Sequence, residues 1–261
     1  MRLLKPIKSE SLGVYNHIPE ALSHMNRTKS KQFRILRYKP GVMDPPRYQT
    51  FEVVTGPGYA ETVLDGLEQI RQNQDPTLMY RHSCHHSSCG TCACQINGIP
   101  QLSCITKLKQ LEGDPVMIEP LGGFDCQADL VVNMEDFFEH IDPNWSYCKT
   151  DRMMEAEKAQ KRITSWSRLE DCIECGCCVS ACPEARENSP FMGPAALAAT
   201  HRQYAKNKEG RRGLLAVAGG DAGVKWCKRV WACSKVCPTR VNPGRHIKDL
   251  RRLLKNNNSS F

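Results

Sequence analysis

Cysteines carry the chemistry available to this chain, and their spacing says which chemistry. The run Cys172-x2-Cys175-x2-Cys178-x3-Cys182-Pro183 is answered downstream by Cys227, Cys233 and Cys237-Pro238, which keep the same frame with one position changed. Where the frame calls for a thiol, at position 230, stands valine. Thiols this close cannot pair with one another without severe strain. Their total, fifteen, is odd, and no export signal precedes them. Ligation of metal in a reducing compartment is the better use. In a C-x2-C-x2-C-x3-C-P run the fourth cysteine serves the other cluster of a two-cluster protein. Cys172, Cys175 and Cys178 are therefore expected to hold a [4Fe–4S] cluster with Cys237. Cys182 crosses over to join Cys227 and Cys233. That second set is one thiolate short at Val230, so its corner iron is not retained and the cluster is expected to be [3Fe–4S].

A third set lies earlier. Cys84, Cys89, Cys92 and Cys104 follow C-x4-C-x2-C-x11-C, and the first three match the spacing of a plant-type [2Fe–2S] loop. Gly90 and Thr91 are small enough to let backbone N–H groups approach the sulfides, which raises the potential. Zinc loops instead pair one C-x2–4-C with a second, distant pair. His82, His85 and His86 surround the loop, but a Rieske site needs histidine in place of two cysteines, and four cysteines already complete the set. The histidines are expected at the surface or against a partner. Cys94, Cys126, Cys148 and Cys177 fall outside all three frames and read as small buried hydrophobes.

The elements that must position these sets divide the chain in two. "FRILRY" (Phe33–Tyr38) and "TFEVVT" (Thr50–Thr55) alternate or cluster apolar residues as strands do, with the turn-forming "KPGVMDPP" between them. A short helix from about Glu61 to Arg71 puts Val63, Leu64, Leu67 and Ile70 on one face. "CACQINGIPQLSC" reads as strand, Asn97-Gly98 turn and strand, and Val116–Leu121 as one more strand. "DLVVNMEDFFEHI" leads out as a connector. From Asp151 helical patterns dominate: "DRMMEAEKAQKRI", "PAALAATHRQYA" and "GRHIKDLRRLLK". In the last, Ile247, Leu250, Leu253 and Leu254 form an apolar stripe suited to core or interface. The expected fold class is α+β, with an N-terminal basic extension (1–32), a β-rich domain (33–128), a connector (129–150) and an α-helical domain (151–261).

Charge follows the same division. Residues 1–39 hold nine Lys/Arg against two acids, residues 225–261 hold ten against one, and the middle is acidic; the total is +8. Basic ends could serve nucleic acid, anionic lipid or acidic partners. Three clusters at about −2 each bring the total to about +2, so much of the basic excess is counter-charge and the nucleic-acid reading weakens. No apolar run approaches the roughly 18 residues that span a bilayer, and the mean hydropathy is −0.49.

At these residues the sequence resembles the iron–sulfur subunit of succinate dehydrogenase and fumarate reductase, respiratory complex II. The resemblance covers about residues 33–255 and rests on "FRILRY", "SCHHSSCGTCACQING", "IEPLGGFDCQADLVVNM", "CIECGCCVSACP", "FMGPAALAATHR" and "ACSKVCPTRVNP". It implies a β-grasp ferredoxin domain followed by an α-helical ferredoxin domain, and a part in an oxidoreductase with no acid or base catalyst of its own. It implies electron transfer between a flavoprotein subunit, with FAD, and a quinone in membrane-anchor subunits, with haem b as an option. It also implies a peripheral place on the cytoplasmic face of the cell membrane, and no nucleic-acid partner. The family's quinone-site pattern departs at two positions: Glu187 stands for a tryptophan and Lys228 for a histidine. Pro183 matches, and Lys228 and Trp231 are the substitutes.

Two other readings have distinct signatures. A relay subunit of another membrane-linked dehydrogenase, or of a thiol-dependent fumarate reductase, would keep the clusters and change the partner. Such relatives often carry a further cysteine-rich domain, and only 24 residues follow Cys237 here. A zinc-dependent nucleic-acid-binding protein would account for the basic ends and C-x2-C pairs, but not for the crossed runs and their prolines.

Overall fold

A computed structural model describes residues 29–141, 172–187 and 190–258. Phe33, Ile35 and Arg37 alternate inward along strand β1 (Lys29–Lys39), as a period of two requires. β1 pairs antiparallel with β2 (Met43–Thr55), Phe33 opposite Phe51, and parallel with β5 (Val116–Glu119), Phe33 opposite Val116. β3 (Ala93–Ile96) and β4 (Ile99–Leu102) form the hairpin predicted around Asn97-Gly98, where both turn residues have positive φ. The five-stranded sheet runs β2-β1-β5-β3-β4. Helix α1 (Val63–Asn73) is closed at its start by a reciprocal Thr62–Asp65 capping box. It buries Val63, Leu67 and Ile70 against Phe33, Val53 and Ile96.

Two strand limits differ from the sequence reading. β1 starts four residues before Phe33. β2 begins at Met43 and runs through Pro45 and Pro46, which the sequence assigns to a turn. Among the described residues β2 has only β1 beside it, and Pro45 and Pro46 fall in the register shift between the Lys39–Met43 and Arg37–Arg47 pairs, where the ladder makes no bond for their missing N–H groups to lose.

Arg37 places a charge where the strand pattern demands an apolar side chain, and it is fully buried. Its guanidinium donates to Asp129 at 3.0 Å, Asp75 at 2.6 Å and Gln49 at 2.7 Å. Asp129 also accepts the backbone N–H groups of Tyr38 and Met79. Partial burial alone would raise the Asp75 carboxyl, but hydrogen bonds from Thr77 and Arg37 outweigh it and hold the group at about 2. The stability Asp75 adds is therefore present above its ordinary value near 4 and is lost as pH falls through about 2. Asp129→Ala removes one of the two carboxylates on the buried Arg37 and the acceptor of the Tyr38 and Met79 N–H groups, and is expected to cost about 3–5 kcal/mol. Denaturant titration of the cluster-loaded protein, followed by far-ultraviolet circular dichroism, measures the loss. A cost below about 1 kcal/mol would show that Asp75 and Gln49 alone satisfy Arg37.

The remaining strands, β6 (Cys126–Ala128) and β7 (Val131–Val132), pair with each other, and helix α2 (Glu135–Glu139) follows. This stretch does more than connect. Val132, Met134, Phe137 and Ile141 share a core with Cys177, Ala195, Ala196 and Ala199 of the helical half. That half contains α3 (Cys177–Ser180), α4 (Pro183–Arg186), α5 (Gly193–Lys206), α6 (Arg211–Gly219), α7 (Ala232–Lys235) and α8 (Pro243–Asn258). The apolar stripe of α8 turns inward: Ile247 and Leu250 are buried against Leu197, Leu215 and Ala218, with Leu253 and Leu254 alongside. Across the same junction His201 Nδ1 lies 2.9 Å from His246 Nδ1, while His246 Nε2 lies 3.0 Å from the Val241 carbonyl. Burial, then the neighbouring His201, pushes His246 down to about 4, so its ring is neutral at pH 7. Its Nε2–H then donates to Val241, and its Nδ1 accepts from His201.

The predicted helix over "DRMMEAEKAQKRI", Cys148 and residues 1–28 lie outside the described residues. Among those described, no helix is long and apolar enough to cross a membrane.

Candidate metal centres

Residues 81–92 form a loop between α1 and β3, and three of the four early cysteines sit on it. The Cys84 sulfur accepts the N–H groups of Ser88 at 3.2 Å and His86 at 3.5 Å. The His86 N–H above all, helped by Cys89 and Ser88, brings the Cys84 thiol down to about 7. The Thr91 hydroxyl lies 3.2 Å from the Cys89 sulfur. Cys104 follows β4 and reaches the same place. Burial first, then Cys92 and Cys84, pushes Cys104 up to about 12, and Cys92 and Cys104 share one buried cluster. The predicted set Cys84, Cys89, Cys92 and Cys104 is thus brought together.

Gly90 has a further role that its size alone did not reveal. Its φ is +71°, and a Cβ there would lie 2.5 Å from the Ile173 carbonyl oxygen and 2.9 Å from Cys175 Cβ. The early cysteine loop therefore abuts the start of the second run, backbone against backbone. The three histidines separate: the His86 ring bonds the Cys84 carbonyl, whereas His82 and His85 face each other and Glu68 of α1.

The second set lines one small cavity. Cys172, Cys175, Cys178 and Cys237 all face it, with Ala195 and Ala198 of α5 forming apolar wall. Burial, followed by Cys175, Cys172, Cys233 and Cys237, drives the Cys178 thiol well above its ordinary value. The Val241 N–H donates to the Cys237 sulfur at 3.3 Å. Gly176, at φ +77°, permits the turn from Cys175 into α3, and a side chain there would meet Met134 and Phe124. Cys177 starts α3 and is fully buried, as expected of a small hydrophobe. Its thiol also donates to the Cys175 sulfur, which helps lower the latter. Cys94 is buried in the sheet core, and the Cys126 thiol donates to the Asp129 carbonyl at 3.3 Å.

The third set opens onto a larger cavity of about 440 Å³. Cys182, Cys227 and Cys233 line it, and so do Val230, Pro183, Lys228 and Trp231. Burial and then Cys182 raise Cys233 to about 11, and Cys227 adds to the shift. Glu187 is not among the lining residues; Glu184 is. Arg229 and Trp231 both adopt φ 61°, which sets Val230 between two left-handed residues at the cavity edge. Arg251 of α8 was not singled out from sequence. Its guanidinium donates to the Cys227 carbonyl at 2.7 Å and to the Val224 carbonyl, tying the third run to the helix. The signal was present: Arg251 occupies the i+4 place of a stripe whose i, i+3 and i+7 residues are Ile247, Leu250 and Leu254.

Comparison with known proteins agrees with this layout. Residues 32–139 match the model of a 2Fe-2S iron-sulfur cluster binding domain, and residues 168–241 that of a 4Fe-4S dicluster domain. The fumarate reductase iron-sulfur subunit of Haemophilus influenzae is 32% identical over 230 residues, covering 82% of this chain and 88% of the relative. The chain belongs to the iron–sulfur subunits of fumarate reductase and succinate dehydrogenase. Within this family the succinate dehydrogenase iron-sulfur subunit of Coxiella burnetii is also 32% identical, covering 84% of this chain and 94% of that one. A chain of the Mycobacterium smegmatis Sdh1 complex in the apo form shares the fold, with a TM-score of 0.71 at 21% identity over 88% of this chain and 98% of the other. A β-rich ferredoxin half followed by a helical ferredoxin half is the α+β fold expected from the sequence.

Proposed function

We propose that this subunit relays electrons between a flavoprotein subunit carrying FAD and a quinone held by membrane-anchor subunits, some with haem b. The single observation that carries the reading is the placement of the cysteines. Three sets defined by spacing alone lie at one loop and two cavities; the first loop touches the second set through Gly90, and the third cavity is lined by residues of the helical half. Bound iron–sulfur clusters supply one-electron oxidation and reduction at sulfur-rich sites. Cys84, Cys89, Cys92 and Cys104 would hold [2Fe–2S]. Cys172, Cys175, Cys178 and Cys237 would hold [4Fe–4S], and Cys182, Cys227 and Cys233 would hold [3Fe–4S]. The fit is supported by the donors aimed at sulfur: Ser88 and His86 at Cys84, Thr91 at Cys89, Val241 at Cys237. Such donors stabilise negative charge on the ligands and raise the potential.

The cavity at the third set suits the quinone end. It lies within the usual size range of small-molecule sites, its wall includes Pro183 and Trp231, and Lys228 offers a cation to a quinone oxygen. The domain limits that fit this reading are 33–128 for the β-grasp unit, 129–150 for the connector and 151–261 for the helical unit. Residues 1–32 are a basic extension, and the subunit sits peripherally on the cytoplasmic face of the membrane.

Analysis of the purified complex tests the reading. The expected content is roughly nine iron and ten acid-labile sulfide per copy of this chain, the sum of the three cluster types. Flavin is expected in a copurifying subunit. A zinc-dominated preparation with little sulfide would end the relay assignment.

A further inference from the structure

Glu68 comes from α1, and His82 and His85 come from the loop that carries Cys84. His82 Nδ1 and His85 Nε2 are 3.1 Å apart, and each lies 3.6 Å from the same Glu68 oxygen, Oε1. A circle through three points with those separations has a radius of about 2.0 Å, and zinc bonds to nitrogen and carboxylate oxygen run about 2.0–2.2 Å. One ion at the centre would touch all three atoms at bonding distance. Hydrogen bonding alone does not use the arrangement: one proton can be shared between the rings, but 3.6 Å leaves the carboxylate beyond hydrogen-bond reach of both.

The surroundings support a ligand site. His85 holds a left-handed backbone, φ 61°, uncommon for a side chain with Cβ. The Tyr80 ring packs on His82 with centroids 5.3 Å apart, which restricts the imidazole. All three side chains are partly exposed, so an ion could enter and keep a water ligand. Two imidazoles and one carboxylate suit zinc, nickel or copper, whereas calcium and magnesium prefer all-oxygen sets.

We propose that Glu68, His82 and His85 bind one divalent transition ion of the zinc class, separate from the three cysteine sets and seated on the outer side of the Cys84 loop. Bound there, the ion ties the loop to α1 on both sides of Cys84. The site stands on its own three side chains and does not depend on the relay assignment.

Calorimetric titration of Zn²⁺ into the anaerobically purified complex tests it, with visible absorbance recorded to exclude cluster loss and zinc-edge X-ray absorption to identify ligands. Wild type should take up one zinc saturably per chain, with nitrogen and oxygen neighbours. His82→Gln, His85→Gln and Glu68→Gln should each weaken that binding at least tenfold. His86→Gln should bind as wild type, because its ring is engaged with the Cys84 carbonyl. No saturable binding, binding that survives His82→Gln and His85→Gln together, or sulfur among the zinc neighbours would overturn the proposal.

Discussion

Gly90→Ala is expected to destabilise the junction between the two halves far more than an equally strained substitution elsewhere. A Cβ at position 90 meets the Ile173 carbonyl oxygen at 2.5 Å, Cys175 Cβ at 2.9 Å and Cys175 Cα at 3.0 Å. None of these is the free end of a flexible side chain, so the two loops must separate. Left-handed backbone adds about 1–2 kcal/mol for any residue with Cβ, and overpacking adds about 1–3 kcal/mol. The expected loss is about 2–5 kcal/mol in denaturant titration of the cluster-loaded protein. Gly98 provides the control: its φ is +76°, and nothing lies within 4 Å of a Cβ there. Gly98→Ala should cost only the backbone strain, about 1–2 kcal/mol. The excess in Gly90→Ala measures the contact between the Cys89–Cys92 loop and the Cys172–Cys175 loop. It should be accompanied by iron loss from both, because both loops move. Equal costs for the two variants would show that the junction yields without effect.

What could be read from the sequence follows from how local each signal is. Cysteine spacing within a run is a local property, fixed by what a short loop can wrap, and the structure brings each of the three sets together. The hairpin at Asn97-Gly98 and the apolar faces of α1 and α8 are local in the same sense. The prolines of β2 read as a turn because the register shift that accommodates them is set by the pairing with β1, not by the run itself. Arg37 looks like a surface charge until Asp75 and Asp129, distant in sequence, arrive beside it. In the sequence Gly90 reads as room for cluster sulfides, but its nearest neighbours across space are Ile173 and Cys175. Glu68 carried no signal at all. It is an ordinary helix acid until the loop folds back and sets two imidazoles against it.

Val230→Cys is expected to change the composition of the third centre while leaving the fold unaltered. Val230 is 52% exposed at the mouth of the cavity lined by Cys182, Cys227 and Cys233. Removing so exposed a side chain should cost less than about 0.5 kcal/mol, so any effect on the centre is not a folding effect. Position 230 also holds the place in the run that Cys175 holds in the upstream one, three residues beyond Cys227 and three before Cys233. A thiol there completes a four-cysteine set facing one cavity. Iron per chain should rise from about nine to about ten, and the paramagnetic signal of oxidised [3Fe–4S] should disappear. The centre becomes a different cluster type with one more thiolate donor, and cluster type is one of the levers on potential, so the potential should fall. Quinone-linked turnover should then slow, while the early set, Cys84 to Cys104, keeps its iron. Val230→Ser is the matching control, since a hydroxyl of the same size is a poor ligand for iron–sulfur clusters. It should retain about nine iron and the [3Fe–4S] signal. Unchanged iron and an unchanged spectrum in Val230→Cys would mean that position 230 does not face the missing corner, and that the shared frame of the two runs does not extend to their ligands.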